Sequence, residues 1–198
     1  MSALKELKRH IKPGVVYRRK HLEKFSGAID RHLTELVNNG VLQKVSGGLY
    51  YRPKQTSFGA VPPDDKVLVR AFLDDDRFYL TSFNAYNSIG VGTTQLYNER
   101  VVYNHKRDGR IELNGRSFYF IKRDRFPKES NLEFLLVDLV NNLRFLAEDQ
   151  QKIKENVKRK ALSMDRNKLM RAVSYYAGVR TKNFFEGLFR QASVRDAV

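Results

Sequence analysis

The chain has 198 residues, with 37 Lys and Arg against 22 Asp and Glu, a net charge of +15 and no cysteine. Disulfides and thiolate chemistry are therefore excluded, and the excess of cations favours nucleic acid or another polyanion as partner. No apolar run approaches the length of a membrane span and no signal-peptide core opens the chain, so a cytoplasmic protein with room for two small domains is expected. The charge is uneven: residues 1–54 carry 12 basic and 4 acidic side chains, residues 148–198 carry 12 and 6, and residues 55–147 are nearly balanced at 13 and 12.

In chain order, Leu4, Leu7 and Ile11 line one face of a short basic helix over 2–11, stopped by Pro13-Gly14. Val15-Val16-Tyr17 reads as a strand and Arg19 to Phe25 as a helix. Ser26 is placed to cap a second helix, whose Ile29, Leu33, Leu36 and Val37 fall at i, i+4, i+7 and i+8 on one face before Asn39-Gly40 ends it. Val41 to Val45, the turn at Ser46-Gly47, and Gly48 to Arg52 read as a β-hairpin. This order is that of a winged helix-turn-helix, which places one helix in a DNA major groove and a wing on the phosphates. Pro53 to Pro63 is polar and proline-bearing, as a linker is.

Beyond it, Asp64-Asp65 opens a helix over Val67, Leu68, Ala71, Phe72 and Leu73, Phe78-Tyr79-Leu80 is a strand, and Ser82 caps a helix through Ile89 before Gly90. Period-two patterning then marks strands at Val101 to Tyr103, Ile111 to Leu113 and Ser117 to Ile121, with Asp108-Gly109 and Asn114-Gly115 as hairpin turns. Ser130-Asn131-Leu132-Glu133 reads as a capping box for a helix to about Ala147. Helices follow at Ile153 to Leu162, at Asn167 to Ala177, and around Phe184, Phe185, Leu188 and Phe189. The expected protein is α+β: an N-terminal winged helix-turn-helix over 1–54, a linker over 55–63, and a mixed domain of β-hairpins and flanking helices with a helical C-terminus over 64–198.

Candidate DNA contacts follow from residue type and position. Arg18, Arg19, Lys20 and Lys24 suit phosphate contact at the first helix of the motif. On the second helix, Arg31 can take a guanine edge bidentately, and Ser26 or Thr34 can bond base edges or phosphate, while Asp30 either pairs with Arg31 or neutralises the helix start. Lys44, Arg52 and Lys54 belong on or beside the wing. In the C-terminal helices Lys158, Arg159, Lys168, Arg171, Arg180 and Lys182 form either a solvated face, a nucleic-acid surface or a dock for an acidic protein. His10, His21, His32 and His105 read as solvated, and Asp74-Asp75-Asp76 as a solvated turn, so no metal, cofactor or catalytic residue is expected. Two alternatives stay open: a metal-dependent nuclease built on Asp108 and Glu112 with Glu99, and an RNA-binding module drawing on the basic ends and the abundant Tyr and Phe.

Residues 22–53, with Leu-x-x-Leu-Val-x-x-Gly at Leu33 to Gly40 and Gly48-Leu49-Tyr50 in the hairpin, resemble the N-terminal domain of AbiEi-type antitoxins of type IV toxin–antitoxin and abortive-infection systems. Ser82 to Gly90, Thr94-Gln95 and the hairpins after them are similar to the second domain of that family, and Tyr175 to Arg180 to its C-terminal portion. The resemblance implies a non-enzymatic transcriptional regulator that binds inverted repeats of double-stranded DNA at its own promoter. It also implies that region 64–198 opposes a nucleotidyltransferase-like toxin.

Overall fold

The computed structural model describes residues 3–195. In chain order, the elements begin with α1 (Ala3–His10), β1 (Val16–Arg18), α2 (Arg19–Leu22), α3 (Ile29–Asn38), β2 (Gln43–Ser46) and β3 (Leu49–Tyr51). They continue with β4 (Lys54–Thr56), β5 (Gly59–Val61), α4 (Asp65–Leu73), β6 (Phe78–Thr81), β7 (Arg100–Asn104), β8 (Gly109–Leu113) and β9 (Arg116–Lys122). The chain ends in α5 (Leu132–Asn142), α6 (Gln150–Leu162), α7 (Arg166–Tyr176) and α8 (Val179–Arg195), so the fold is mixed α and β with a helical C-terminus. Among the described residues no helix is long and apolar enough to cross a membrane.

Two compact units form: the residues up to Phe78 with Lys106–Phe120, and Tyr79–His105 with the residues from Ile121 onward. This division differs from the expected one at 55–63, because side chains beyond that stretch are bound into the first unit. Arg116 pairs with Asp65 and donates to the Pro63 carbonyl, and Arg18 donates to the carbonyls of Ala71 and Phe72 at the end of α4.

In the first unit, the periodic apolar residues meet as read. Leu7, Ile11, Leu22, Ile29, Leu33, Leu36 and Leu42 form one buried cluster, so α1, α2 and α3 share a core. β3 lies between β1 and β2 in an antiparallel sheet, with Val16 opposite Tyr51 and Gln43 opposite the same residue. The β2–β3 register slips between Lys44 and Ser46, and the freed Val45 carbonyl accepts the Asn114 N–H at 2.9 Å. Asn114 (φ 50°) and Gly115 (φ 70°) make the tight β8–β9 turn, where two positive φ values favour Asn-Gly.

Four local expectations are corrected. Ser26 does not cap α3, which starts at Ile29 without a side-chain cap. The stretch read as a linker folds into the β4–β5 hairpin. Asp108-Gly109 is not a hairpin turn, since β8 lies at a sheet edge and pairs with β9. Asn131 rather than Ser130 caps α5, its carboxamide oxygen accepting the Phe134 N–H at 2.8 Å, and a 3-10 turn, Leu143–Phe145, ends that helix earlier than Ala147.

In the second unit α5 is the central element, buried on all sides from Phe134 to Leu139, and it packs against α6, α7, α8 and the 3-10 segment Phe83–Ile89. Ser82 does cap that segment, accepting the Asn84 N–H at 3.2 Å. Asp149 and Asp165 cap α6 and α7 in the same way.

Candidate nucleic-acid interface

The three cations at the start of α2 are used differently from one another. Arg18 turns to the α4 carbonyls and lies 3.8 Å from Asp74, so it holds unit structure together. Arg19 grips Asp30 through two bonds, Nε to Oδ1 at 2.6 Å and Nη2 to Oδ2 at 2.7 Å, and also meets Glu23 one turn on. The hydrogen bond from Arg19 holds the Asp30 carboxyl below its ordinary range, and the same bond raises the guanidinium's pKa. Asp30 therefore pairs with Arg19 and not with Arg31. Lys20 is exposed, with no ion pair among the described residues.

Those cations border a recess lined by Arg18, Arg19, Lys20, Gly47, Gly48, Leu49, Phe72 and Arg107, with no carboxylate in its wall. The Arg19 N–H donates to the Gly48 carbonyl at 2.8 Å, which fixes the β2–β3 turn beside the start of α2. Arg107 stacks over Phe72 at 4.9 Å. Sequence reasoning missed Arg107, because nothing local to it signals that the chain returns to the first unit after residue 105.

On α3 the buried face carries Ile29, Leu33 and Leu36, which leaves Asp30, Arg31, Thr34, Glu35 and Asn38 exposed. Arg31 makes no ion pair among the described residues, and the Thr34 hydroxyl donates to the Asp30 carbonyl at 2.9 Å. Ser26 is only 5% exposed; its Oγ bonds His32 Nδ1 at 2.7 Å and accepts the Ala28 N–H at 3.2 Å. Ser26 and His32 therefore form an internal pair, which removes Ser26 from the contact set and corrects the reading of His32 as solvated. His10 is stacked on Phe25, and His21 lies 3.5 Å from Asp74.

Lys44 on β2 and Lys54 on β4 are exposed, and Lys24 sits over the Phe25 ring. Arg52 is half-buried and donates to the Ile11 carbonyl, so it ties β3 to the end of α1. The triple aspartate is an ion-paired corner more than a solvated turn. Arg70 meets Asp76, while Arg77 and Lys106 flank Asp75 at 3.2 and 3.3 Å. The bond from Arg77 pulls the Asp75 carboxyl well below the usual range. Glu112 lies on β8 and Asp108 just ahead of it, and among the described residues no group of three or more His, Asp or Glu side chains is placed to hold a metal ion.

The second unit carries the C-terminal cations on two separate surfaces. Lys168 and Arg171 line a groove with Tyr175 and Tyr176, and Lys158 and Arg159 line another between α6 and α8. Lys158 pairs with Glu155 and Lys182 with Glu186, while Arg180 is exposed. Beneath them lies a polar cluster that the sequence did not announce. Asp138, 1% exposed on α5, accepts hydrogen bonds from the Tyr86 and Tyr103 hydroxyls at 2.8 Å. Asn142 Nδ2 donates to both phenol oxygens at 2.9 and 2.7 Å, and Arg123 Nη1 lies 3.8 Å from the carboxylate. Burial raises the Asp138 pKa against the opposing pull of Arg123 and the phenols, and burial followed by the nearby carboxylate pushes both tyrosines well above their usual value. Every member is bonded, so the cluster fixes the α5 register.

No family model matches the chain, and no curated protein does. Among solved structures, the chain is similar to the RV2827C protein from Mycobacterium tuberculosis, at 15% identity and a TM-score of 0.53, over 93% of this chain and 74% of that one. That likeness concerns the fold alone.

Proposed function

We propose that α1 to β3 form a winged helix-turn-helix that binds double-stranded DNA, with α3 in the major groove and the β2–β3 turn on the backbone. The observation that carries the reading is topological. The order helix, strand, two helices, two strands, with β3 between β1 and β2, packs the apolar face of α3 inward and leaves Arg31, Thr34 and Asn38 exposed toward base edges. Lys20, at the edge of the recess, and Lys44 supply phosphate contacts.

We further propose that the protein regulates its own operon and acts as an AbiEi-like antitoxin against a nucleotidyltransferase-type toxin, without enzymatic activity of its own. The support for this part is the resemblance of Ser82 to Gly90 and Tyr175 to Arg180 to that family. A gel shift of the purified protein on its own upstream region tests the DNA reading. Retention of the shifted band under excess scrambled duplex is expected, and loss of the band to any duplex overturns the regulator. Co-expression with the neighbouring gene tests the antitoxin reading: relief of growth arrest is expected, and undiminished arrest refutes it.

A further inference from the structure

The β4–β5 hairpin is an arm with no core. Every residue from 54 to 61 is exposed, Phe58 at its tip is 101% exposed, and its sheet has two strands only. Yet the tip is braced. The Thr56 hydroxyl donates to the Gly59 carbonyl at 3.0 Å and accepts the Phe58 N–H at 3.3 Å, and Gly59 takes a φ of 105°. The base is pinned by the Tyr51 hydroxyl, which donates to the Val61 carbonyl at 2.8 Å. An isolated two-stranded hairpin is marginal in water, and holding a phenylalanine in solvent adds nothing to its stability. Beside the base, on the β4 side, is a groove whose walls include Pro13, Gly40, Val41, Arg52 and Pro53.

We propose that this groove receives Phe58 of a second copy of the chain, the two arms pairing antiparallel through their β4 edges about a two-fold axis at Gln55. The register follows from the ladder. Thr56 opposite Gly59 closes the turn as a hydrogen-bonded pair, so bonding alternates and the N–H and C=O of Gln55 face the open edge. A dyad at Gln55 lets each copy's Gln55 exchange both bonds with the other. It sets Lys54 opposite Thr56, where β4 ends, and carries each Ser57-Phe58 turn past the base of the other copy's arm at Pro53. The turn that carries Phe58 is thus brought beside the groove wall at Arg52 and Pro53. The arm holds one cation and no acid from 53 to 63, so self-pairing brings no like charges directly opposite. The groove is lined by Lys54, Gln55 and Thr56 of the same arm that carries Phe58, so knob and groove are contiguous, as a two-fold interface requires. Two phenylalanines of about 150–250 Å² each, with an equal area of the walls that cover them, bury roughly 600–1,000 Å², at or below the lower bound of a specific interface, so the dimer is weak and depends on concentration.

Sedimentation equilibrium of the full chain, without DNA, tests this independently of the DNA-binding reading. The mass should rise from 23.1 kDa toward twice that between low and high micromolar concentration, and Phe58→Ala, which removes no buried contact of the monomer, should abolish the rise. The chain has no cysteine, so single substitutions test the register. Oxidised Gln55→Cys should give a cross-linked dimer, since opposed Cα atoms stand about 5.5 Å apart, and Ser57→Cys should not. A chain that stays monomeric at high concentration, a Phe58→Ala variant that dimerises equally, or Ser57→Cys cross-linking as readily as Gln55→Cys overturns the proposal.

Discussion

Replacing Asp30 with Asn should make this protein bind DNA more tightly, although it removes a side chain from the surface proposed to face DNA. Asp30 occupies Arg19 through two hydrogen bonds, which cancels one cation at the start of α2. Removing the carboxylate leaves Arg19 only its exposed pair with Glu23, a weak interaction that salt screens. Each phosphate neutralised changes the slope of log K against log salt by about −0.9, so one released cation should steepen the slope by that amount. Between 50 and 200 mM salt, a slope of about 0.9 corresponds to roughly 3.5-fold in affinity. The variant should therefore bind several-fold more tightly than the parent at low salt, and its advantage should shrink about 3.5-fold across that range. Fluorescence anisotropy with specific and scrambled duplexes measures this directly. Thermal melts of both proteins check that α2 and α3 stay together without the Arg19–Asp30 link. An unchanged slope, or weaker binding by a fully folded variant, would refute the placement of Arg19 on phosphate.

Three further outcomes are expected. Arg31→Ala should weaken binding to the operator by about 5- to 150-fold, the worth of a bidentate base contact, and should barely change binding to scrambled duplex; equal losses on both would remove Arg31 from base readout. Ser26→Ala strips a buried partner from His32 and from the Ala28 N–H, so urea unfolding should show a loss of about 1–3 kcal/mol, and DNA affinity of the folded fraction should be unchanged. Tyr103→Phe removes a donor from the buried Asp138 carboxylate and should cost about 2 kcal/mol at neutral pH. The Asp138 pKa is raised in the folded state, so its contribution to stability is full below the ordinary carboxylate pKa and is lost as pH rises through the folded value. Because the phenol favours the ionised form, the penalty of Tyr103→Phe should shrink as acid protonates Asp138, and a pH-independent penalty in urea titrations would refute the assigned role.

Local signals in the sequence were sufficient wherever one element decides its own shape. The 3.6-residue spacing of Ile29, Leu33 and Leu36 sets the buried face of α3, and Asn114-Gly115 sets the β8–β9 turn. Partnership between distant residues was not legible. Asp30 stands next to Arg31 in sequence, but on a helix adjacent residues point apart, and Arg19 on the preceding helix reaches it instead. Ser26 has the right chemistry for a cap, yet it lies too far ahead of Ile29 and spends its hydroxyl on His32. Asp138 looks like a polar interruption of an apolar run, and only the fold shows that Tyr86 and Tyr103 come from other elements to bond it. The proline-bearing stretch after β3 has a linker's composition, but Thr56 and Gly59 brace a turn that composition does not reveal.

The net charge of the basic N-terminal region is consequently a poor guide to its interface. Arg18, Arg19 and Arg52 are the residues whose type best suits phosphate, and each is committed to carbonyls or carboxylates of the same unit. Arginine's fixed fork makes it as good a clamp for the fold as for DNA, whereas lysine, with a hydrated point charge, more often stays in solvent. Among the described residues of this region, the exposed cations outside an ion pair include the lysines Lys20 and Lys44, with Arg31 on α3. Lysines around the exposed Arg31 suit a division in which the backbone is held by interchangeable charges and sequence is read at one position. On that argument, exchanging Lys20 or Lys44 for Arg should leave sequence preference intact, while Arg31→Lys should lose it despite keeping the charge.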